Sequence, residues 1–228
     1  MKFLAGVLVL AACGSSSAPR PADDGSGRYQ GREIAQTCSY LGADWLDRAD
    51  RTEREQPDKV VAALKLAPGM AAADVGAGTG YFTVRLARAV GPTGTVYATD
   101  LQPEMLNLLE ATLTRERIAN ARIIRATEHS AELPAACCDL VLLVDVYHEL
   151  SDPPRVMAGI HAALRPGGRL VLVEYRGEDP AVPIKAEHKM TLPRIQKELG
   201  GLGFTFVESL EFLPDQRIVV FTAADRTR

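Results

Sequence analysis

Three glycines at alternate positions form the segment of the sequence best suited to bind a small ligand. Gly76, Gly78 and Gly80 lie where a short strand-like stretch, 71–76, gives way to helical spacing, and Asp74 precedes the first of them by two residues. Glycine lets a chain turn tightly and lets a ligand touch its backbone. In open α/β sheets, ligands bind beyond the carboxyl ends of the strands. The spacing therefore predicts a nucleotide-like ligand against this loop.

The residues around the glycines discriminate between nucleotide ligands. The dinucleotide fingerprint GxGxxG needs a small residue at its last position. Counted from Gly76, that position is occupied by Tyr81. The pyrophosphate of NAD favours helix N–H groups without a nearby carboxylate, and Asp74 supplies one. A ligand with an amino group and no phosphate fits better, and S-adenosylmethionine is such a ligand. Asp100, 20 residues after Gly80, can accept ribose hydroxyls in either class of enzyme.

Further segments resemble those of one known family, in the same order along the chain. The stretch 74–80 is similar to the (D/E)xGxGxG motif of class I methyltransferases, and 132–134 (Glu-Leu-Pro) resembles the loop that follows the third strand. The stretches 143–150 and 164–170 resemble the end of the fourth strand and the turn into the fifth. The chain is thus identified as a member of the class I S-adenosylmethionine-dependent methyltransferases, near the ubiquinone/menaquinone branch, over roughly 57–222.

The resemblance implies a role for each matched residue. Asp74 would hold the amino group of the methionine moiety, directly or through water, and Asp100 would accept the ribose hydroxyls. Glu128 or His129 would lie near the adenine, and Asp145 would flank the methionine end. The implied cofactor-binding residues are Asp74, Gly76, Gly78, Gly80, Asp100, Glu128 and Asp145.

The implied reaction requires little acid–base catalysis by the protein. Methyl transfer from a sulfonium is an in-line displacement, so the enzyme mainly aligns the acceptor with the methyl group and excludes water. A base is needed only if the acceptor must lose a proton. The candidate catalytic residues are Tyr147 and His148, which follow the fourth strand, and His188, with Glu149 beside them. His148 is the first choice, and a structural histidine is the alternative.

Strands that alternate with helices must position these residues. Such alternation is typical of a parallel sheet that is covered on both faces, and a closing hairpin at 214–215 adds one antiparallel strand. The predicted fold class is α/β, a Rossmann-like doubly wound sheet of seven strands, mostly parallel with one antiparallel strand. The predicted strands are 71–76, 95–100, 122–126, 139–145, 169–175, 204–212 and 217–222.

Composition limits the partners. With 26 basic and 29 acidic residues the net charge is −3, which gives no electrostatic reason to bind a nucleic-acid backbone. The (D/N)PP(Y/F/W) motif of nucleic-acid amino-methyltransferases is not met at 152–155, where Arg155 follows the prolines and a helix start is predicted. No Cys/His pattern indicates zinc, so no metal site is predicted. A small-molecule acceptor is favoured, and the oligomeric state is left open.

The first residues resemble a bacterial lipoprotein signal. A positive start is followed by an apolar run, 3–12, which as a helix spans about 15 Å, half of a bilayer core. Such a run is typical of a signal peptide rather than a membrane span. The stretch 10–13 resembles the lipobox, which implies cleavage before Cys13 and a lipid on its thiol. The protein would then be anchored on the periplasmic side, and otherwise it would be cytoplasmic.

The predicted organisation follows from these segments. It consists of a signal peptide over 1–12, a flexible Ser/Gly/Pro-rich tether over 13–30, a helical extension or lid over 31–66, and a methyltransferase domain over 67–228. A lipoprotein is exported, whereas S-adenosylmethionine is made in the cytosol. A non-catalytic cofactor-binding module is therefore an alternative to an active enzyme. An NAD-dependent oxidoreductase is a third, disfavoured hypothesis.

Overall fold

The computed structural model describes residues 27–224. The predicted signal peptide 1–12, the predicted lipidation site Cys13 and most of the predicted tether lie outside the described residues. Within 27–224, every helix falls short of the length and apolar character that crossing a membrane requires.

A seven-stranded sheet forms the centre of the molecule. Its strands are β1 (Ala71–Val75), β2 (Thr95–Asp100), β3 (Ala121–Arg125), β4 (Cys138–Val144), β5 (Leu164–Arg176), β6 (Phe204–Leu210) and β7 (Gln216–Ala223). Their spatial order is β3-β2-β1-β4-β5-β7-β6, and the two-residue strand Lys189–Met190 pairs with the end of β5. Within the sheet, β7 runs antiparallel to both neighbours and the other pairs are parallel. The predicted fold class is confirmed.

Helices cover both faces of the sheet. They are α1 (Ala43–Leu46), α2 (Arg51–Glu55), α3 (Pro57–Ala63), α4 (Tyr81–Val90), α5 (Pro103–Arg115), α6 (Pro153–Ala163) and α7 (Leu192–Gly201). Side chains alternate between the faces of a strand. Accordingly Leu140 and Leu142 of β4 pack in a core with α3 and α4, whereas Val141 and Leu143 pack with α6 and α7.

The strand order reverses between β1 and β4, which lie side by side at the centre of the sheet. Connections from neighbouring strands leave in opposite directions at such a point and open a crevice at the carboxyl ends. The glycine-rich stretch follows β1 and Asp145 follows β4. The fold therefore brings the two segments together at the site where ligands bind in this architecture.

The N-terminal part differs from its sequence prediction. Composition predicts a tether through residue 30, but Arg28–Tyr29 pairs with Arg32–Glu33 and Tyr29 is buried. Hydrogen bonds also hold this otherwise polar segment, since the Arg194 guanidinium donates to the Gln30 carbonyl at 2.8 Å. Within the predicted helical extension 31–66, the first part forms only a 3₁₀ turn, Tyr40–Gly42, and the four residues of α1. The helix start predicted at 152 is confirmed, since the Asp152 side chain accepts a hydrogen bond from the Arg155 N–H.

Candidate active site

A cavity of about 470 Å³ opens at the carboxyl ends of β1, β2, β4 and β5. The lining comes from the glycine bend, the ends of β2 and β5, the loops after β3 and β4, the stretch 184–188 and the N-terminal stretch 37–51. Of the predicted site residues, Gly76, Gly78, Asp100, Glu128, Asp145, His148 and His188 line this cavity. Side chains that are far apart in sequence are thus collected around one space.

The glycine bend has the backbone that its sequence requires. Gly76, Gly78 and Gly80 have φ values of +73°, +54° and +91°, a region that residues with side chains rarely adopt. A Cβ atom on Gly76 would collide with Val146, and one on Gly78 would lie 2.9 Å from Leu46 Cδ1. Gly80 does not line the cavity, which corrects its predicted role. It caps α4, and a Cβ there would meet Leu109 of α5 at 2.7 Å.

Asp100 ends β2 with its carboxylate turned back onto the glycine bend. Its Oδ2 accepts a hydrogen bond from the Gly78 N–H at 2.9 Å, and its Oδ1 accepts one from the Gln102 N–H at 2.9 Å. Burial raises the pKa of Asp100, and these backbone donors oppose the rise. Each carboxylate oxygen keeps a second lone pair. The side chain therefore joins the bend to β2 and can still accept hydrogen bonds from a diol in the cavity.

Asp74 is enclosed in β1 and does not line the cavity. It is 2% exposed, and its Oδ2 accepts a hydrogen bond from the Thr83 hydroxyl at 2.6 Å. A direct contact between Asp74 and a ligand amino group does not fit this position, because the carboxylate faces α4. Burial raises the pKa of Asp74 to about 6, opposed by Thr83 and by the charge of Arg51.

This raised pKa predicts a pH-dependent cost in stability. The folded chain holds the Asp74 proton more tightly than the unfolded chain does. Protonation of Asp74 therefore stabilises the folded state, and this contribution to the free energy of unfolding is complete below about pH 4. It is lost as the pH rises through about 6. Asp74→Asn should therefore gain stability relative to the parent between pH 4 and pH 8, by about 3 kcal/mol. Urea unfolding at both pH values measures the difference. The exposed control Asp58→Asn should show no such trend, and a pH-independent difference for Asp74→Asn would contradict the prediction.

Asp145 follows β4 in a strained conformation. Its φ is +55°, its Oδ2 accepts a hydrogen bond from Gln216 Nε2 at 2.7 Å, and its buried Oδ1 has no hydrogen-bond partner among the described residues. Burial raises the pKa of Asp145 well above its usual value, and the carboxylates of Glu55 and Glu174 raise it further. Strained backbone conformations and buried acceptors without a hydrogen-bond partner are found most often at functional sites. A ligand donor such as an ammonium group would satisfy this oxygen.

The stretch 37–51 forms the outer wall of the cavity. The Tyr40 N–H donates to Gln102 Oε1 at 2.9 Å, and Gln102 Nε2 donates to the Cys38 carbonyl at 2.8 Å. Trp45 and Leu46 face the same space. The stretch thus fastens itself to the residue two positions beyond Asp100. The stretch lines the cavity, and its role as a lid stays a prediction.

The charges around the cavity favour a cationic ligand. Its acidic side chains are Asp100, Glu104, Glu128, Asp145 and Glu149, against the cations Arg51, Lys185 and His148. The N-terminal end of α4, where a diphosphate would bind, is covered by Asp47, whose Oδ1 accepts a hydrogen bond from the Thr79 hydroxyl at 3.1 Å. Negative charge there repels a phosphate. The arrangement therefore counts against the NAD alternative.

The inner wall carries a polar group centred on His148. This side chain is 1% exposed, and its Nδ1 lies 2.6 Å from Glu174 Oε2 while its Nε2 lies 3.1 Å from His188 Nδ1. Burial lowers the pKa of His148, but the Glu174 carboxylate outweighs it and brings the pKa to about 9. The structure thus brings two predicted catalytic residues into contact at the cavity.

Tyr147, the third predicted catalytic residue, does not reach the cavity. Its ring is fully buried and its hydroxyl donates to Glu198 Oε2 at 3.1 Å, while its backbone N–H donates to Glu174 Oε1 at 3.0 Å. Burial and the Glu198 charge raise the pKa of Tyr147 well above its usual value. The residue therefore anchors the loop after β4, which corrects its prediction as a catalytic residue.

Glu174 was missed from the sequence, although a signal was present. It is a carboxylate that directly follows the apolar run 170–173 of β5, and it is fully buried. Buried carboxylates almost always have partners. Its partners, the Tyr147 N–H and His148, lie 26 or more residues away in the chain. The predicted absence of a metal-ligating group also missed that His148, Glu149 and His188 converge.

Comparisons with known proteins agree with this architecture. A family model described as "Methyltransferase domain" matches residues 73–172. The demethylmenaquinone methyltransferase of Geobacillus sp. (strain WCH70) is 30% identical over 111 residues, 49% of this chain and 47% of that protein. The ubiquinone/menaquinone biosynthesis C-methyltransferase UbiE of Erwinia tasmaniensis is 27% identical over 165 residues, 69% of this chain and 65% of that protein. The chain spans about half the length of the first of these relatives.

A solved structure shows the same fold over most of its length. The SAM-dependent methyltransferase of Aquifex aeolicus superposes with a TM-score of 0.77 and is 24% identical, over 81% of this chain and 98% of that one. The family model thus matches the central part of the chain, 73–172, and the fold is that of a solved S-adenosylmethionine-dependent methyltransferase.

Proposed function

We propose that the chain transfers the methyl group of S-adenosylmethionine to a small-molecule acceptor in the cavity. The observation that carries this proposal is that one cavity is lined both by a candidate cofactor-binding surface and by candidate catalytic side chains. On one side lie the glycine bend and Asp100, and on the other lie His148 and His188. The names of the relatives, which describe methyl transfer in quinone biosynthesis, also support a small-molecule acceptor.

Each part of the wall has a task in this reaction. S-adenosylmethionine supplies an activated methyl group on a sulfonium. Asp100 accepts the ribose hydroxyls, the orphaned Asp145 Oδ1 accepts the ammonium group, and Glu128 lies on the side of the cavity that remains for the adenine. The excess of carboxylates favours the cationic cofactor over its neutral thioether product. The stretch 37–51 keeps water from the acceptor.

The acceptor is held at the inner wall. His148 and His188 present imidazole nitrogens there, held in place by the 2.6 Å contact between His148 and Glu174. Both can bind a polar group of the acceptor. His148, with a pKa of about 9, is already protonated at neutral pH, so His188 is the one to take a proton where the chemistry requires it. Asp74 and Tyr147 do not contact the ligands in this proposal. Asp74 holds the start of α4 beside the glycine bend, and Tyr147 holds the loop after β4.

Two measurements on the full chain test this proposal. Calorimetry should show one equivalent of S-adenosylhomocysteine bound, and a metabolite pool with labelled methyl donor should yield a labelled small molecule. Binding without any transfer would favour the non-catalytic module instead. No heat and no thermal shift at millimolar ligand would overturn cofactor binding itself.

The N-terminal segment carries a separate proposal about location. Cleavage before Cys13 and lipidation of its thiol would anchor the protein on the periplasmic side of a membrane, on the strength of the lipobox-like stretch 10–13. The intact mass of the protein purified from its own host should then correspond to a chain that begins at lipidated Cys13. A mass that includes Met1 would favour a cytoplasmic protein, and Cys13→Ser should abolish the lipid adduct.

A further inference from the structure

Three side chains on the inner wall of the cavity point their ligand atoms at one another. We call His148, Glu149 and His188 the histidine–glutamate cluster. His148 Nε2 lies 3.1 Å from His188 Nδ1, and Glu149 Oε1 lies 4.0 Å from the first nitrogen and 3.8 Å from the second. Two imidazole nitrogens and a carboxylate oxygen thus form a compact triangle at the edge of a cavity.

We propose that the histidine–glutamate cluster binds one divalent transition-metal ion of the zinc type, with an open coordination position towards the cavity. Zinc holds nitrogen and oxygen ligands at about 2.0–2.1 Å in a tetrahedron, so neighbouring ligand atoms lie about 3.3 Å apart. The sides of the triangle, 3.1, 3.8 and 4.0 Å, need to change by at most about 0.7 Å. Two histidines and one glutamate form a ligand set that leaves a zinc ion a fourth, open position.

The residues behind the cluster hold its ligands in the orientation that a metal requires. A metal-binding histidine commonly gives its other ring nitrogen to a carboxylate, which fixes the tautomer and the ring. Here His148 Nδ1 lies 2.6 Å from Glu174 Oε2, and Glu174 is fully buried. His148 Nε2 is therefore directed at the cluster. The Cys38 N–H donates to Glu149 Oε1 at 3.4 Å, which positions the third ligand.

The ligand atoms also select the kind of ion. Mg²⁺ and Ca²⁺ prefer oxygen ligands in sets of six or more, whereas imidazole suits zinc and its neighbours in the transition series. His148 is 1% exposed, so the ion would sit against a dry wall and open only to the cavity. A ligand at the open position would be an oxygen atom, from water or from a hydroxylated small molecule.

A consequence for the substrate rests on the proposed function as well as on the metal site. A hydroxyl group bound to the ion would lose its proton at a lower pH than in water. The cluster would then take the place of a free imidazole base. The favoured acceptor class is a hydroxyl-bearing molecule such as a phenol or a hydroquinone, which binds through its oxygen.

Metal titration of the full chain, free of a histidine tag and treated with chelator, tests the site. Calorimetry with Zn²⁺ and visible absorption with Co²⁺ should show one equivalent bound with micromolar or tighter affinity. His188→Ala and Glu149→Gln should each weaken binding by about 10-fold or more. The matched control is His129→Ala, because His129 also contacts a carboxylate, that of Asp152, at 2.9 Å but lies outside the cluster. Its removal should leave the affinity unchanged.

The outcomes separate the metal site from the methyltransferase activity. Metal binding is measured without cofactor, and S-adenosylhomocysteine binding is measured on the same metal-free samples. A chain that binds S-adenosylhomocysteine but neither Zn²⁺ nor Co²⁺ overturns the metal site alone. Equal metal affinity in the parent and both ligand variants also overturns it. Strong near-ultraviolet charge-transfer absorption of Co²⁺ that disappears in Cys38→Ser would place the ion on a thiolate instead and would likewise reject the cluster.

Discussion

Gly78→Val is expected to abolish binding of S-adenosylhomocysteine, while the chain still folds. Gly78 lines the cavity with φ at +54°, and its N–H donates to Asp100 at 2.9 Å. A Cβ there already lies 2.9 Å from Leu46 Cδ1, so the added methyl groups must occupy ligand space or displace the lid stretch. We expect a loss of affinity of about 100-fold or more by calorimetry, since overpacking of close contacts costs about 1–3 kcal/mol and the ligand's own contacts are lost besides.

The control for this variant separates backbone strain from loss of the site. Gly167 has φ at +76° but open space around its Cβ position, and it does not line the cavity. Gly167→Val should therefore lose stability in the same way, by about 1–3 kcal/mol, and keep its affinity for the ligand. If both variants lost binding equally, the loss in Gly78→Val would reflect destabilisation and not its place beneath the cofactor.

The cofactor half of the site could be predicted because its information is local in sequence. The bend from Gly76 to Gly80 needs positive φ at each glycine, and only glycine tolerates that without strain. Asp100 ends the next strand, and adjacent parallel strands end at the same edge of the sheet. The alternation of strands and helices along the sequence also predicted the sheet topology, including the single antiparallel strand β7.

The inner wall could not be predicted in the same way, because its contacts are distant in sequence. His148 meets Glu174 on a neighbouring strand and His188 in the loop that follows it. The number of residues between these positions says nothing about their distance in space. Tyr147 shows the complementary error. It stands beside His148 in sequence, yet in the 3₁₀ turn that both occupy its ring enters the core and the imidazole faces the cavity.

The lid stretch illustrates a third limit of the sequence. Its composition allows either a helix that packs on the sheet or a cover over the cavity. The outcome depends on polar contacts such as those of Gln102 with Tyr40 and Cys38, which no periodicity reveals. The stretch 37–51 contains only short helical elements, so hydrogen bonds such as these contribute to holding it over the cavity.

Asp100→Ala is expected to weaken binding of S-adenosylhomocysteine by about 10- to 150-fold, or about 1.5–3 kcal/mol, the usual range for hydrogen bonds to a charged group. The carboxylate holds the Gly78 and Gln102 N–H groups at 2.9 Å and faces the cavity beside them. Alanine removes the acceptor for the ribose and also frees the bend that the carboxylate fixes. Calorimetry measures the affinity, and urea unfolding measures the accompanying loss of stability.

The control for Asp100→Ala is a carboxylate with the same structural task at the opposite end of the sheet. Asp139 Oδ2 accepts a hydrogen bond from the Ala71 N–H at 2.8 Å but does not line the cavity. Asp139→Ala should lower the free energy of unfolding and leave the ligand affinity unchanged. Both carboxylates hold backbone N–H groups of the sheet and its loops, and Asp139 also pairs with Arg165 at 2.7 Å, so its loss should affect stability but not the ligand site. Unchanged affinity in Asp100→Ala would mean that the ribose is held elsewhere, and equal loss in both would mean that affinity merely follows stability.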